Sequence, residues 1–176
     1  MQTVCDIHTE IFKDAWSEIA GQYRQENLKI TDSKHLPPHH STVAIRMQEK
    51  DRELQEQLKK LEGLAGIIRA MDPDKASFDD AIEEVVRVAA WLHHMVTFVH
   101  PFREGNGRTA RLAGNLILER YGLVGISIKI EKENKNRYRQ ALAQVDVMND
   151  FEPLVELIYD GLVERYDGVA MKYYHP

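Results

Sequence analysis

Between residues 78 and 99, apolar side chains recur at two sets of helical spacings. Ile82, Val85, Val86, Ala89, His93 and Val96 form one stripe; Val88, Leu92, Met95 and Val99 form a second. A helix that is apolar on two sides is a buried helix, so the rest of the chain has to cover it. His100-Pro101 ends it, because proline disfavours helical geometry in the residue before it. The other periodic segments are helical too, and strand signals are sparse.

Residues 6 to 20 place Ile7, Ile11, Phe12, Ala15, Trp16 and Ile19 on one face, with Gly21 as the stop. Residues 42 to 70 carry Met47, Leu54, Leu58, Leu61, Leu64 and Ile68 on a stripe, and the charges from Glu49 to Glu62 form its solvated face. Asp72-Pro73-Asp74 breaks that helix, and Ser77 reads as the cap of the central one, with Asp79 and Asp80 in its first turn. A further helix runs from Gly105 or Asn106 to Tyr121, capped by Gly122. Ile126 to Ile130 reads as a short extended segment. Helices follow at about 131–147 and 151–166, the last with Asp150 as N-cap and Pro153 in its first turn. In residues 22–40, Leu28 and Ile30 alternate with polar residues ahead of Thr31-Asp32-Ser33 and Pro37-Pro38, the pattern of a hairpin or extended flap. The expected architecture is an all-α bundle with one small β-hairpin flap, forming a single domain over residues 1–176.

At 176 residues with 43% hydrophobic side chains, the chain can fill one core. Its net charge of −5 leaves no basic excess to neutralise phosphates over a broad surface, which argues against a nucleic-acid partner. The most apolar stretch, 85–99, contains Arg87, His93 and His94 and is too short for a membrane span. The start, Met1-Gln-Thr-Val-Cys-Asp, has neither a basic nor an apolar run, so a cytoplasmic location is expected. Delivery into another cell would leave no trace in these features. One cysteine, Cys5, allows no internal disulfide and no cysteine zinc cluster.

The chemistry is concentrated in His100-Pro-Phe-Arg-Glu-Gly-Asn-Gly-Arg-Thr-Ala-Arg111, which joins the buried helix to the next one. Gly105 and Gly107 bracket Asn106, so the backbone can approach a ligand closely. The N–H groups there begin a helix and lack intrahelical acceptors, which makes an anion site. Arg108 and Arg111 share a face near that positive end. Two arginines and a helix N-terminus describe a polyphosphate cradle. Glu104 beside it suits Mg²⁺, and His100 can take a proton near neutral pH. Neither G-x-x-x-x-G-K-[ST] nor G-x-G-x-x-G is present.

These twelve residues resemble the signature of the Fic family, H-x-F-x-[D/E]-G-N-G-R-x-x-R, at every fixed position. Ile7-His8, Phe12 through Ala20-Gly21-Gln22-Tyr23-Arg24, Arg137-Tyr138 with Ala141-Leu142, and Glu152-Pro153-Leu154 resemble further parts of the family. The resemblance implies transfer of AMP from ATP to a Ser, Thr or Tyr hydroxyl of a target protein, with release of pyrophosphate. His100 would take the hydroxyl proton and Glu104 would hold Mg²⁺. Gly105, Asn106 and Gly107 would form the anion hole, Arg108 and Arg111 would bind the outer phosphates, and Phe102 would anchor the loop. The flap, with Arg24, Leu28 and Ile30, would align the target by strand pairing.

The intact Gly-Asn-Gly triplet favours AMP transfer over the phosphorylation of the related Doc group. Many Fic proteins carry an inhibitory helix with the pattern [S/T]-x-x-x-E-[G/N]. Only Ser127 has a glutamate four residues on, Glu131, and Lys132 then departs from the pattern. No built-in inhibitory helix is therefore expected. The brake would be a separate small antitoxin or absent, and the enzyme would be active alone and toxic when overexpressed. Two alternatives stay open: a Fic-fold transferase with another nucleotide donor or with AMP-removing activity, and a non-catalytic binding module. His93 and His94 with His100 invite a metal-cluster reading, but His93 lies in an apolar stripe, where a buried, hydrogen-bonded histidine is the simpler account.

Overall fold

The computed structural model describes residues 2–31, 33–70, 76–128 and 132–173. Six α-helices are present among them: α1 Gln2–Phe12, α2 Val43–Ala70, α3 Ala76–Val99, α4 Asn106–Arg120, α5 Lys132–Met148 and α6 Glu152–Tyr173. No strand ladder occurs among the described residues, so the all-α expectation holds.

Helix α3 lies at the centre and packs against α2, α4, α5 and α6. Both expected stripes are buried, Val85, Val86, Ala89 and Val96 on one and Val88, Leu92, Met95 and Val99 on the other. Its many valines are not strong helix formers. The propensity deficit is at most about 0.7 kcal/mol per residue, whereas burying such a side chain gains roughly 1.5–3 kcal/mol. Packing therefore decides the helix. One core cluster runs from Val4 in α1 to Leu162 in α6.

Several boundaries differ from expectation. Helix α1 begins at Gln2 and stops at Phe12 instead of running to residue 20. Residues 13–21 are turns, with the Phe12 carbonyl accepting from the Ala15 and Trp16 N–H groups and the Ile19 carbonyl from the Gln22 N–H. These tight turns nearly preserve helical spacing, so Ile19 still reaches the core. The turns, not the helix, end at Gly21, where φ is +69° and a Cβ would collide with Thr9 Oγ1. Ser77 sits inside α3, which starts at Ala76, so it is not the cap. The Asp72–Asp74 break, Ile130 and Glu131 lie outside the described residues. At the start of α6, Asp150 Oδ1 accepts the Glu152 N–H at 3.0 Å, and the helix continues past the expected end at 166 to Tyr173.

The flap differs most. Among its described residues, 22–40 form no hairpin and make one antiparallel bridge, Tyr23 to Phe102. Instead of pairing with itself, this segment is fastened to the loop after α3. A single 3-10 turn, His40–Thr42, then leads into α2.

Candidate active site

The loop after α3 is held from every side before it offers anything to solvent. Phe102 is fully buried and stacks on His8 with centroids 3.8 Å apart. The Asn106 side chain binds the backbone of Phe102 twice, donating from Nδ2 to its carbonyl (2.8 Å) and accepting its N–H at Oδ1 (2.9 Å). Asn106 is buried, so removing it would orphan two buried backbone groups, each at about 1–3 kcal/mol. Its carboxamide is thus a loop fastener, and only its N–H remains for a ligand.

His8 on α1 holds the next residue. Its Nδ1 accepts the Gly21 N–H at 3.0 Å, which makes Nε2–H the donor to the Glu104 carbonyl, also at 3.0 Å. Burial, with Arg108 nearby, keeps this imidazole neutral by lowering its pKa against the pull of the Glu104 carbonyl. Gly105 follows with φ +76°, and a Cβ there would lie 2.3 Å from the Phe12 ring. Only glycine fits, both conformationally and sterically.

Arg24 is 3% exposed and serves as a clamp, not as the docking residue expected from the sequence. Its Nε donates to the His100 carbonyl (2.8 Å), Nη1 to Glu26 and Nη2 to the Pro38 carbonyl, while its N–H donates to Pro101. The clamp falls on a strained residue, since His100 has φ +50°. Such a non-glycine conformation costs about 1–3 kcal/mol and persists only where surrounding bonds over-determine it.

His100 donates from Nδ1 to the Thr97 carbonyl at 3.3 Å, leaving the Nε2 lone pair as acceptor. Burial lowers its pKa below 6.5, with Arg24 and His35 adding to the effect against Thr97 and Glu104. It is therefore an uncharged base at neutral pH.

A cleft of about 270 Å³ is lined by His100, Arg103, Glu104, Gly105, Asn106, Gly107, Arg108 and Arg111. It unites every expected residue of the loop except Phe102, which lies beneath it. Its floor is the start of α4, where no side chain caps the helix. The Asn106, Gly107 and Arg108 N–H groups occupy the first turn, beyond the reach of intrahelical acceptors. The Gly105 N–H is held by the Glu104 carboxylate at 3.0 Å. Arg108 lies over the Phe12 ring and 3.8 Å from Glu104. That ion pair is exposed and worth at most about 1 kcal/mol, so phosphate can displace it.

Glu104 is 61% exposed at the cleft. No group of three His, Cys, Asp or Glu side chains is gathered among the described residues. His93 bonds the Tyr138 hydroxyl and His94 pairs with Asp146, so neither joins His100. Leu28 and Ile30 are half-buried and lie outside the cleft. His93 is the buried, hydrogen-bonded histidine expected, with Tyr138 as its partner, whereas the sequence assigned no role to His8, Arg103 or Thr97. The His8 partner, Glu104, is 96 residues away, and no local spacing signals it.

A neutral histidine, an uncapped helix N-terminus and two arginines surround one cleft, an arrangement chemically suited to an anionic ligand such as a phosphate. A model of the Fic/DOC family matches residues 1–118, and the chain belongs to that family. The protein adenylyltransferase Fic of Nematostella vectensis is 27% identical over 155 residues, covering 88% of this chain and 30% of that protein. The protein adenylyltransferase fic-1 of Caenorhabditis briggsae is 35% identical over 115 residues, covering 64% of this chain and 21% of that protein. This chain thus spans less than a third of the length of these relatives. A Fic domain containing signaling protein from Bacteroides thetaiotaomicron superposes with a TM-score of 0.62 at 26% identity, covering 92% of this chain and 58% of that one. Fic-1 from C. elegans also gives 0.62, at 24% identity and 99% and 44% coverage, and supports the fold. Among the described residues no helix is long and apolar enough to cross a membrane.

Proposed function

We propose that this chain, as one domain over residues 1–176, is a protein adenylyltransferase that moves AMP from ATP to a hydroxyl side chain of a target protein. The carrying observation is that His100, Glu104, the α4 N-terminus, Arg108 and Arg111 line one cleft. The names of the relatives agree with this reading.

In the reaction, the target hydroxyl oxygen bonds to the α-phosphorus as its proton passes to His100 Nε2. The bond from the α-phosphorus to the bridging oxygen breaks, and pyrophosphate leaves with that electron pair. The N–H groups of Asn106 and Gly107 face the charge that develops, and Arg108 and Arg111 hold the outer phosphates. Gly105 contributes the turn that aims this helix end. Glu104 fits Mg²⁺, which takes one or two carboxylates and completes its shell with phosphate and water. When bound, Mg²⁺ neutralises phosphate charge.

Residues 22–40 dock the target in this reading. Half-buried Leu28 and Ile30 flank an exposed Lys29, an alternation that suits strand addition. ATP as donor and an unpaired Cys5 suit the cytoplasm.

The test is label transfer. The chain is incubated with Mg²⁺, ATP labelled on the α-phosphate and a cell lysate, beside a His100→Ala variant. Label on protein that requires His100 is expected. Equal label with both chains, or none with either, would overturn the assignment. Competition by unlabelled nucleotides identifies the donor.

A further inference from the structure

The last turn of α3 leaves two neighbouring carbonyls without their helical donors, and each is taken by a histidine. The Thr97 carbonyl would accept from the residue four places on, but that residue is Pro101, which has no N–H. The Phe98 carbonyl would accept from Phe102, whose N–H is committed to Asn106 Oδ1. His100 donates from Nδ1 to the Thr97 carbonyl at 3.3 Å, and His35 places Nε2 2.7 Å from the Phe98 carbonyl. A carbonyl only accepts, so His35 Nε2 carries its proton and donates. The base and His35 thus sit on adjacent carbonyls of one helix end.

The seat of His35 is braced. Its ring stacks on the Phe98 ring with centroids 4.4 Å apart, and His94 meets the same Phe98 ring at 5.5 Å. His94 is in turn paired with Asp146 of α5. From His35, short-range bonds lead back along the chain. The His35 N–H donates to the Ser33 hydroxyl at 3.1 Å, and the Ser33 N–H donates to the Ile30 carbonyl at 3.2 Å. Arg24 fastens the near end of the same stretch to the His100 carbonyl. Leu28, Lys29 and Ile30 therefore lie between two anchors, and both anchors end on the backbone around the base.

We infer that His35 is a positioning residue that sets the stretch around Ile30 against the base, by seating it on the helix end that also holds His100. This rests on the reading in which residues 22–40 dock the target of AMP transfer. A stretch tied at both ends has less conformational freedom to lose when a target strand is added to it. His35 is not among the residues lining the phosphate cleft. It acts on the capture of the target, and leaves nucleotide binding and the chemical step to the cleft.

The experiment measures His100-dependent label transfer to one lysate protein band as lysate concentration is raised. The full chain is compared with His35→Phe, His35→Gln and Ile30→Asp, and ATP binding with Mg²⁺ is measured for each. Phenylalanine keeps a ring against Phe98 and loses the N–H, whereas glutamine keeps a donor. Loss of one hydrogen bond corresponds to a change of about two- to tenfold. His35→Phe is expected to raise the half-saturating lysate concentration by that factor, with plateau rate and ATP affinity unchanged, and His35→Gln to restore most of it. Half-saturation unchanged in His35→Phe while Ile30→Asp raises it would overturn the positioning role and leave the docking reading standing. A lower plateau or weaker ATP binding in His35→Phe would mark a role in the chemistry or in general stability and overturn it too. Half-saturation unchanged in Ile30→Asp would remove the docking reading beneath it. No His100-dependent label from the full chain would remove AMP transfer itself. Should His35→Phe not fold, His35→Ala takes its place, with the same rise in half-saturation expected.

Discussion

His100 carries two properties that pull against each other, a strained backbone and a base kept uncharged. The strain aims the side chain into the cleft, and the carbonyl contacts from Arg24 hold it there. The lowered pKa means its proton is already lost below 6.5, so the base form dominates throughout the neutral range. The acid limb of kcat/KM for AMP transfer should therefore fall below pH 6.5, and rates should be flat from about 7 to 8 if no other group titrates. A limb centred above 6.5 would contradict a buried base. Gly105 gives a second residue-scale expectation. In Gly105→Ala the added methyl meets Phe12, and the left-handed φ disfavours any side chain. Strain of about 1–3 kcal/mol plus the overlap should lower thermal stability and remove AMP transfer together. Retained activity with unchanged melting would show that the loop tolerates another path.

At the scale of elements, what the sequence revealed and what it hid divide by contact range. Helices α2, α3, α4 and α6 were legible because their apolar stripes and breakers are local. The cleft residues from His100 to Arg111 were legible because twelve consecutive positions carry them. The hairpin was not, because alternation at Leu28 and Ile30 marks extended chain without naming its partner. The bridge that does form pairs Tyr23 with Phe102, far along the chain in the loop after α3. Arg24 was likewise placed in the right segment with the wrong task, since burial is invisible in a charged residue. Its Nε bond to the His100 carbonyl and its backbone N–H bond to Pro101 join residues 22–40 to the loop after α3, while its other two side-chain bonds, to the Glu26 and Pro38 carbonyls, brace that segment itself. Arg24→Ala should therefore cost about 3 kcal/mol or more, at roughly 1.5–3 kcal/mol for each hydrogen bond to a charged group, and should lower kcat without touching substrate. Arg24→Lys should not rescue it, because one ammonium cannot span these carbonyls in a planar fork. Chemical denaturation with parallel activity assays decides this; full rescue by lysine would refute the clamp.

For the whole molecule, the same burial that keeps the site histidines neutral ties folding to pH. His93 is buried between α3 and α5, and its pKa falls from 6.5 to about 3. His8, which joins α1 to the loop, is lowered as well. In the unfolded chain both take up protons as pH drops through 6.5, whereas in the folded chain His93 does not until about 3. Their contribution to stability is thus fully present above 6.5 and is lost as pH falls. Each neutral buried histidine steepens the loss by about 1.4 kcal/mol per pH unit. Between pH 6.5 and 5, His93 alone should remove about 2 kcal/mol, a large share of the roughly 5–15 kcal/mol that holds a domain together. Urea midpoints at pH 7.5, 6 and 5 measure this directly. The fall should be shallower in His93→Leu, which has no imidazole to protonate on unfolding, even though it starts from a lower midpoint. A wild-type midpoint that stays level down to pH 5 would mean that these histidines accept protons in place.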